Sequence, residues 1–322
     1  MISRLVRAAA AVAFVGAGLV VATTATPSVA SGASKSGCGT TPGVGSSTLA
    51  LTINGHVRTV IVHVPSTYRS STPAALVLNM HGTGATALDQ DVFSGMNLTA
   101  DADGFLVAYP QALVTYAEGY AWNVPGEPLF GGTPVPTGSA NDVSFLVALV
   151  RGLEARYCVN RDEVYATGFS GGARMASQLA CDASRTFAAI AAVSGLRRPT
   201  PCPTTRAVPV IAFHGLADHV DPYAGHGQGY WTYSVPTALK DWAHQDGCGP
   251  HATVTTHAAY TFTQYAHCAA GSSVELYSID SEGHEWPGGP TMPLSITQSL
   301  GPQSDALSAD SLMWSFFTSH RL

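Results

Sequence analysis

The stretch EVYATGFSGG, residues 163–172, decides the fold of this chain. Its first half is a short run of β-type residues, and the residues from Ala173 onward have a helical composition. A Gly-x-Ser-x-Gly sequence between a strand and a helix is typical of a nucleophile elbow, where glycines permit a strained turn. The amino end of the helix then faces the position of a developing oxyanion. The pattern predicts Ser170 as a nucleophile, and the alternative is a glycine-rich loop with a surface serine.

The first 30 residues have the pattern of a secretory signal. Arg4 and Arg7 precede an apolar run at 8–21, and the sequence SVA at 28–30 fits a small-x-small cleavage site. The apolar run is short for a membrane span, although a retained anchor is the alternative. We expect cleavage after Ala30, an extracellular mature chain and no membrane partner.

Charged residues make up only 11% of the chain, and the formal net charge is −6. The sequence contains no basic patch interleaved with aromatic residues, so we expect no nucleic-acid partner. The remaining surface should be dominated by neutral polar residues. Such a surface suits an extracellular protein that acts, as a monomer, on neutral or insoluble material.

The six cysteines of the chain all follow the predicted signal, and an even number in an exported protein indicates disulfides. Six cysteines permit 15 pairings. The pairing that we favour is Cys38 with Cys158, Cys181 with Cys202, and Cys248 with Cys268. None of the cysteines has the close paired spacing of a zinc site, so we expect no metal.

Strand-type and helix-type runs alternate along the chain. We predict strands at 48–53, 56–64, 75–80, 105–109, 163–167, 187–194, 208–213 and 274–279, and helices at 140–157, 173–183, 236–244 and 306–319. The dipeptide Asn54-Gly55 predicts a hairpin between the first two strands. The alternation predicts a mainly parallel sheet with an N-terminal antiparallel hairpin and helices on both faces. We expect a flexible segment at 31–47, pinned by Cys38, and a single domain at 48–322.

Two later segments supply an acid and a histidine. One predicted strand runs directly into HGLAD, residues 214–218, which puts Asp218 at the same rim of the sheet as Ser170. Asp221 is the alternative acid. The last predicted strand is followed closely by His284. Serine, acid and histidine in this order are typical of an α/β-hydrolase, with His284 as general base and Asp218 as its partner.

The donors of an oxyanion hole can also be predicted. One is the backbone N–H of Gly171, the residue after the nucleophile. The other should come from the loop HGTG at 81–84, which follows the 75–80 strand. We expect the N–H of Thr83, with Gly84 as the second choice. The imidazole of His81 is expected to pack beneath this loop.

Three tryptophans lie in loops that should overhang the site, namely Trp122, Trp231 and Trp286. Aromatic rings on such loops can contact an acyl group, so we predict substrate binding by these three; simple loop packing is the alternative.

The loop after the 208–213 strand also holds five potential metal ligands, His214, Asp218, His219, Asp221 and His226. Their spacing fits no known two-histidine helix motif, so we predict neither a metal nor a cofactor.

Four segments follow one another along the chain: LVLNMHG at 76–82, YATGFSGG at 165–172, HGLAD at 214–218 and GHEWPG at 283–288. Together, and in this order, they resemble the secreted esterases of the polyhydroxybutyrate depolymerase and feruloyl esterase group. The resemblance covers about residues 48–320 and implies an α/β-hydrolase fold that cleaves feruloyl esters, acetylated xylan or short polyesters. It also implies a cystine-bearing excursion before the last strand.

The chain departs from that group at the acyl side of the predicted site. Phe169 and Gly171 stand where many members have Leu and Asn, and Thr83 stands where depolymerase-type members often carry Cys. The predicted function is a serine ester hydrolase, first for feruloyl-type esters of plant cell walls. A poly(3-hydroxybutyrate) depolymerase and an acetylxylan esterase are the alternatives. A peptidase and a non-catalytic binding protein on the same fold are remoter ones.

Overall fold

The computed structural model describes residues 36–227, 229–291 and 293–322, so the predicted signal at 1–30 lies outside the described residues. Twelve strands lie within the described ranges. They are β1 (Gly45–Ile53), β2 (His56–Val64), β3 (Ala74–Met80), β4 (Leu106–Pro110), β5 (Val114–Tyr116), β6 (Gly119–Ala121), β7 (Val159–Gly168), β8 (Ala189–Val193), β9 (Val210–Gly215), β10 (Thr253–Thr256), β11 (Tyr260–Tyr265) and β12 (Val274–Ile279).

Seven α-helices lie in the same ranges. They are α1 (Ala87–Ser94), α2 (Met96–Asp103), α3 (Asp142–Glu154), α4 (Gly171–Asp182), α5 (Val235–Gln245), α6 (Leu294–Leu300) and α7 (Ala309–Thr318). Asn141 caps α3 by accepting the backbone N–H of Ser144. Asp142, the next residue, pairs with Arg58 at 2.7 Å and ties β2 to α3. In the described part of the chain, no helix combines the length and apolarity that a bilayer crossing requires.

Ten strands form one sheet in the order β1-β2-β4-β3-β7-β8-β9-β12-β11-β10. The six central strands, β4, β3, β7, β8, β9 and β12, run parallel to one another. The hairpin of β1 and β2 adds an antiparallel edge, so the predicted mainly parallel sheet with its opening hairpin is confirmed. Strand β1 begins at Gly45, three residues before the predicted start.

A second antiparallel edge, formed by β11 and β10, was not predicted. In β11, the residues from Tyr260 to Thr263 alternate between aromatic and polar, which is a strand signal. All six residues of β11 are half-buried, because this edge of the sheet is covered only in part. The short hairpin of β5 and β6, a separate two-stranded sheet, was also not predicted.

The central strands are apolar on both faces because helices cover both faces. On β3, Leu76 and Leu78 join a core cluster with residues of α3, α4 and α5. Val77, between them, joins the opposite cluster with residues of α1, α2 and α7. This arrangement leaves the carboxyl ends of the parallel strands as the edge from which the long loops emerge.

The three favoured disulfides, Cys38–Cys158, Cys181–Cys202 and Cys248–Cys268, are all present. The first attaches the N-terminal segment to the body of the protein, where the N–H of Gly37 also donates to the carbonyl of Glu154 at 2.8 Å. The third closes the excursion that contains β10 and β11. Three disulfides fit a protein of an oxidising compartment.

Candidate active site

Ser170 lies at the sharp turn between β7 and α4, with φ 52° and ψ −113°. A positive φ is uncommon for a residue other than glycine and marks a strained backbone. The turn is held by a hydrogen bond from the Ser170 N–H to the carbonyl of Val193 on β8, at 2.9 Å. Gly172 is required here, because a Cβ at this position would collide with the carbonyl oxygen of Met80. This is the geometry of a nucleophile elbow.

His284 reaches the elbow from the loop that follows β12. Its backbone N–H donates to the carbonyl of Leu300 at 2.6 Å, which anchors the loop to α6. Its ring packs against the ring of Phe169, with 4.7 Å between the centroids. Because Phe169 directly precedes Ser170 in the turn, this contact holds the imidazole against the elbow.

Asp218 follows β9 and contacts the histidine directly. Its Oδ2 lies 2.8 Å from Nδ1 of His284. Its Oδ1 accepts the backbone N–H groups of Val220 and Asp221 at 2.9 and 2.8 Å. The carboxylate of Asp221, the alternative acid, instead accepts the hydroxyl of Tyr230. Of the two acids, the structure therefore joins Asp218 to the imidazole.

Charge and burial act against each other in this pair. Burial alone would raise the pKa of Asp218, but the charge of His284, together with hydrogen bonds from His214 and His284, holds it well below its ordinary value. Burial likewise disfavours a charged His284, yet the Asp218 carboxylate outweighs burial and raises the pKa of His284. The pair is thus arranged to stabilise an imidazolium, the form that a general base takes in the transition state.

Thr83 and Gly171, the predicted oxyanion donors, lie close together beside the elbow. A Cβ built on Gly171 would lie 3.3 Å from the backbone nitrogen of Thr83, so these two residues face each other closely. The N–H of Gly84, the second choice for a donor, is already bound to the carbonyl of Tyr120 at 2.8 Å. Among the described residues the N–H groups of Thr83 and Gly171 have no such acceptor, which leaves them available to an oxyanion.

His81 packs beneath the loop that carries Thr83. Its Nδ1 donates to the carbonyl of Gly82 at 2.8 Å, and its Nε2 accepts the N–H of Ala112 at 3.2 Å. Burial lowers the pKa of His81 to about 4, so the ring is neutral at physiological pH. Its carbonyl accepts the indole N–H of Trp122 at 2.8 Å. This fixed network supports the loop from below.

All three tryptophans that we predicted to contact substrate are enclosed by protein. Trp122 is 2% exposed, and Trp231 and Trp286 are fully buried. The indole N–H of Trp231 donates to the carbonyl of Pro222, and that of Trp286 donates to the carboxylate of Asp310. Each ring therefore has a packing role in its loop, and a contact with substrate stays a prediction.

The sequence analysis missed the relation of His214 to the acid. Nε2 of His214 lies 3.3 Å from Oδ2 of Asp218, and both side chains are buried. His214 and Asp218 stand at positions i and i+4, a spacing that is visible in the sequence. From the sequence alone, we interpret it only as a candidate metal-binding pattern. Across the described ranges, no group of three or more His, Cys, Asp and Glu side chains is arranged to hold a metal ion.

Comparisons with known proteins agree with this geometry. The model of the family described as "Esterase PHB depolymerase" matches residues 64–221. The candidate esterase NocK of Nocardia uniformis subsp. tsuyamanensis is 34% identical over 220 residues, which are 67% of this chain and 57% of NocK. Feruloyl esterase B of Piromyces equi is 28% identical over 70% of this chain and 42% of its own length. The chain thus spans about half the length of these two relatives.

Feruloyl esterase D of Neurospora crassa is 27% identical over 72% of this chain and 75% of its own length. Among solved structures, an acetyl xylan esterase from Aspergillus awamori has a TM-score of 0.55 at 17% identity. That match covers 74% of this chain and 94% of the other, and at such identity it shows a shared fold alone. The family model and the sequence relatives show that the chain belongs to the polyhydroxybutyrate depolymerase and feruloyl esterase family, and its fold is that of the α/β-hydrolases.

Proposed function

We propose that this protein hydrolyses carboxylic esters with Ser170 as nucleophile, His284 as general base and Asp218 as the partner of the histidine. The observation that carries the proposal is a strained serine at a strand–helix turn, with an Asp218–His284 hydrogen bond of 2.8 Å beside it. Asp218 and His284 are distant in sequence yet share this hydrogen bond, and the ring of His284 packs on Phe169, the residue before Ser170.

The reaction would proceed in two halves. His284 takes the proton of the Ser170 hydroxyl as its oxygen attacks the ester carbonyl, and the N–H groups of Thr83 and Gly171 stabilise the oxyanion. Each donor contributes about 3 kcal/mol in the transition state. The intermediate collapses to an acyl-enzyme, and His284 returns the proton to the departing alcohol. Water activated by His284 then releases the carboxylic acid and restores Ser170.

The substrate class that we favour is feruloyl-type esters of plant cell walls. The support for it is that the relatives from Piromyces equi and Neurospora crassa are named as feruloyl esterases. Polyester hydrolysis is the second candidate, because the matching family model is described by polyhydroxybutyrate depolymerase. The three disulfides support an extracellular location for either activity.

A substrate panel tests the proposal. We would compare kcat/KM for methyl ferulate, nitrophenyl acetate, acetylated xylan and amorphous polyhydroxybutyrate, using the wild type and Ser170→Ala. The account predicts the highest value for methyl ferulate and loss of all turnover in the variant. Degradation of the polyester without turnover of the ferulate would favour the second candidate. Absence of turnover on every ester would overturn the proposal.

A further inference from the structure

A second histidine contacts the acid of the proposed triad. Nε2 of His214 lies 2.8 Å from the backbone carbonyl oxygen of Asp221 and 3.3 Å from Oδ2 of Asp218. A carbonyl oxygen only accepts hydrogen bonds, so Nε2 must carry a proton. Nδ1 is buried and has no partner among the described residues, which favours the neutral ring with its single proton on Nε2. This proton is shared between the carbonyl and the carboxylate.

The ring of His214 is held in one orientation from two sides. The indole of Trp231 stacks on it, with the centroids 5.8 Å apart and the planes 20° apart. Tyr223 meets it edge-on at 6.0 Å, and the Tyr223 hydroxyl is bound to Ser278 of β12 at 2.9 Å. The indole N–H of Trp231 is bound in turn to Pro222. A ring clamped in this way delivers its N–H to a fixed point.

From these contacts we infer that His214 is a positioning residue for the reaction proposed above. With it, the Asp218 carboxylate has four donors: two backbone N–H groups on Oδ1, and the imidazoles of His214 and His284 on Oδ2. Without the His214 donor, the carboxylate loses one of the contacts that limit its rotation, and its alignment with Nδ1 of His284 loosens. His214 itself touches neither substrate nor Ser170 in this role.

The expected effect of His214 on turnover rests on the proposed function. The contacts of His214 with Asp218 and Asp221 do not depend on it. Two substitutions distinguish the effect of the N–H donor of His214 from the effect of its aromatic ring. His214→Gln keeps an N–H near the position of Nε2, and His214→Phe keeps a ring that can stack on Trp231 but removes the donor. His219→Phe is the matched control, since this histidine of the same loop is exposed and its ring is hydrogen-bonded to the carbonyl of Ser299 rather than to Asp218.

In steady-state kinetics on nitrophenyl acetate, we expect His214→Phe to lower kcat about 10- to 100-fold with KM nearly unchanged, as for a misplaced catalytic group. His214→Gln should recover most of this loss, and His219→Phe should match the wild type. Wild-type kcat in a folded His214→Phe protein would overturn the inference. So would a His214→Gln protein that is as impaired as His214→Phe.

A readout without substrate separates this inference from the proposed function. In proton NMR, the imidazole proton shared by His284 and Asp218 should give a low-field resonance in the wild type and in His214→Gln. The resonance should be lost or displaced in His214→Phe. If His214→Phe fails to fold, His214→Asn replaces it, because its amide is too short to reach the Asp218 carboxylate. An unchanged resonance in every folded variant would overturn the inference, whatever the ester turnover.

Discussion

Ser170, the proposed nucleophile, has a backbone conformation that residues other than glycine seldom adopt. Its φ of 52° costs about 1–3 kcal/mol, and the close packing of Gly172 against Met80 leaves the turn no relaxed alternative. Strain of this kind persists where the surrounding fold imposes it. The cost of the turn is therefore a feature that substitution at position 170 can measure.

We expect the free energy of unfolding of Ser170→Gly to exceed that of Ser170→Ala by about 1 kcal/mol, because glycine tolerates the positive φ. Ser170→Gly should therefore unfold at a higher urea concentration. Both variants should lose about 10⁴- to 10⁶-fold in kcat on a chromogenic ester. Equilibrium urea unfolding and steady-state kinetics check the two parts. Equal stability of the two variants would contradict the claim that the backbone of residue 170 is strained. Retained turnover would contradict the assignment of Ser170 as the nucleophile.

The raised pKa of His284 predicts how activity depends on pH. The base works as neutral imidazole, so kcat/KM should fall as the pH drops through its pKa, with a midpoint above the ordinary histidine value of 6.5. Asp218→Asn removes the stabilising charge, and we expect a midpoint at lower pH and a kcat lower by about 10⁴-fold. A pH profile of both proteins measures this. If Asp218→Asn left the acidic limb of the kcat/KM profile at the same pH, the assignment of Asp218 as the partner of His284 would be contradicted.

The sequence predicts the residues of the candidate site far better than their surroundings. Ser170, Asp218 and His284 each follow a predicted strand, and parallel strands bring such positions to one edge. The burial of Trp231 could not be predicted, because it depends on how a long loop folds back onto His214. The same loop decides that Asp221 contacts Tyr230 rather than the imidazole.

At the scale of elements, the oxyanion loop depends on a tether from another segment. The indole N–H of Trp122 binds the carbonyl of His81, two residues before Thr83. Trp122→Phe leaves that buried carbonyl without its donor, which should cost about 1–3 kcal/mol of stability.

We expect Trp122→Phe also to lower kcat about 10-fold, because the N–H of Thr83 is then less well placed. The control is Trp314→Phe, on α7, where the indole stacks on Phe105 at the opposite side of the sheet from α4. Thermal unfolding and kinetics of both variants provide the comparison. A Trp122→Phe protein with wild-type kcat would show that the tether does not position the loop.

The predicted elements succeed where an apolar run is buried on both faces, as in β3 and β8, or where Asn54-Gly55 marks a hairpin, and fail at the opposite margin of the sheet. The strands β10 and β11 are exposed or half-buried, so their residues give a weaker pattern. Helices α1 and α2 have eight residues each and meet at Gly95, which ends one and begins the next. Such short helices carry too few turns for periodicity to identify them.

At the scale of the whole molecule, burial dominates the pKa values of several carboxyl groups, including Glu285, where the charge of His284 opposes it in part. Burial raises the pKa of Glu282 to about 8 and those of Glu285 and Asp310 to about 7. The folded state therefore binds more protons than the unfolded state from about pH 4.5 upward. The free energy of unfolding should fall as the pH rises through this window, until each group has ionised.

Glu282→Gln tests this dependence, since an amide mimics the neutral acid and still accepts the N–H of Ser304. Between pH 5 and 8, each such group lowers stability by at most about 1.4 kcal/mol per pH unit. We expect urea unfolding to show a shallower decline in the variant than in the wild type. Glu118→Gln, at an exposed position, should leave the slope unchanged. Parallel slopes for all three proteins would contradict the proposed titration of Glu282.

The fold as a whole brings together a serine, a histidine and an acid that lie far apart in the chain, and the account depends on their acting as one reactive unit. Covalent labelling with a fluorophosphonate, followed by peptide mapping in a mass spectrometer, tests this most directly. The account predicts a single adduct on Ser170, strongly slowed in His284→Ala. An unlabelled protein, or an adduct on another serine, would contradict it.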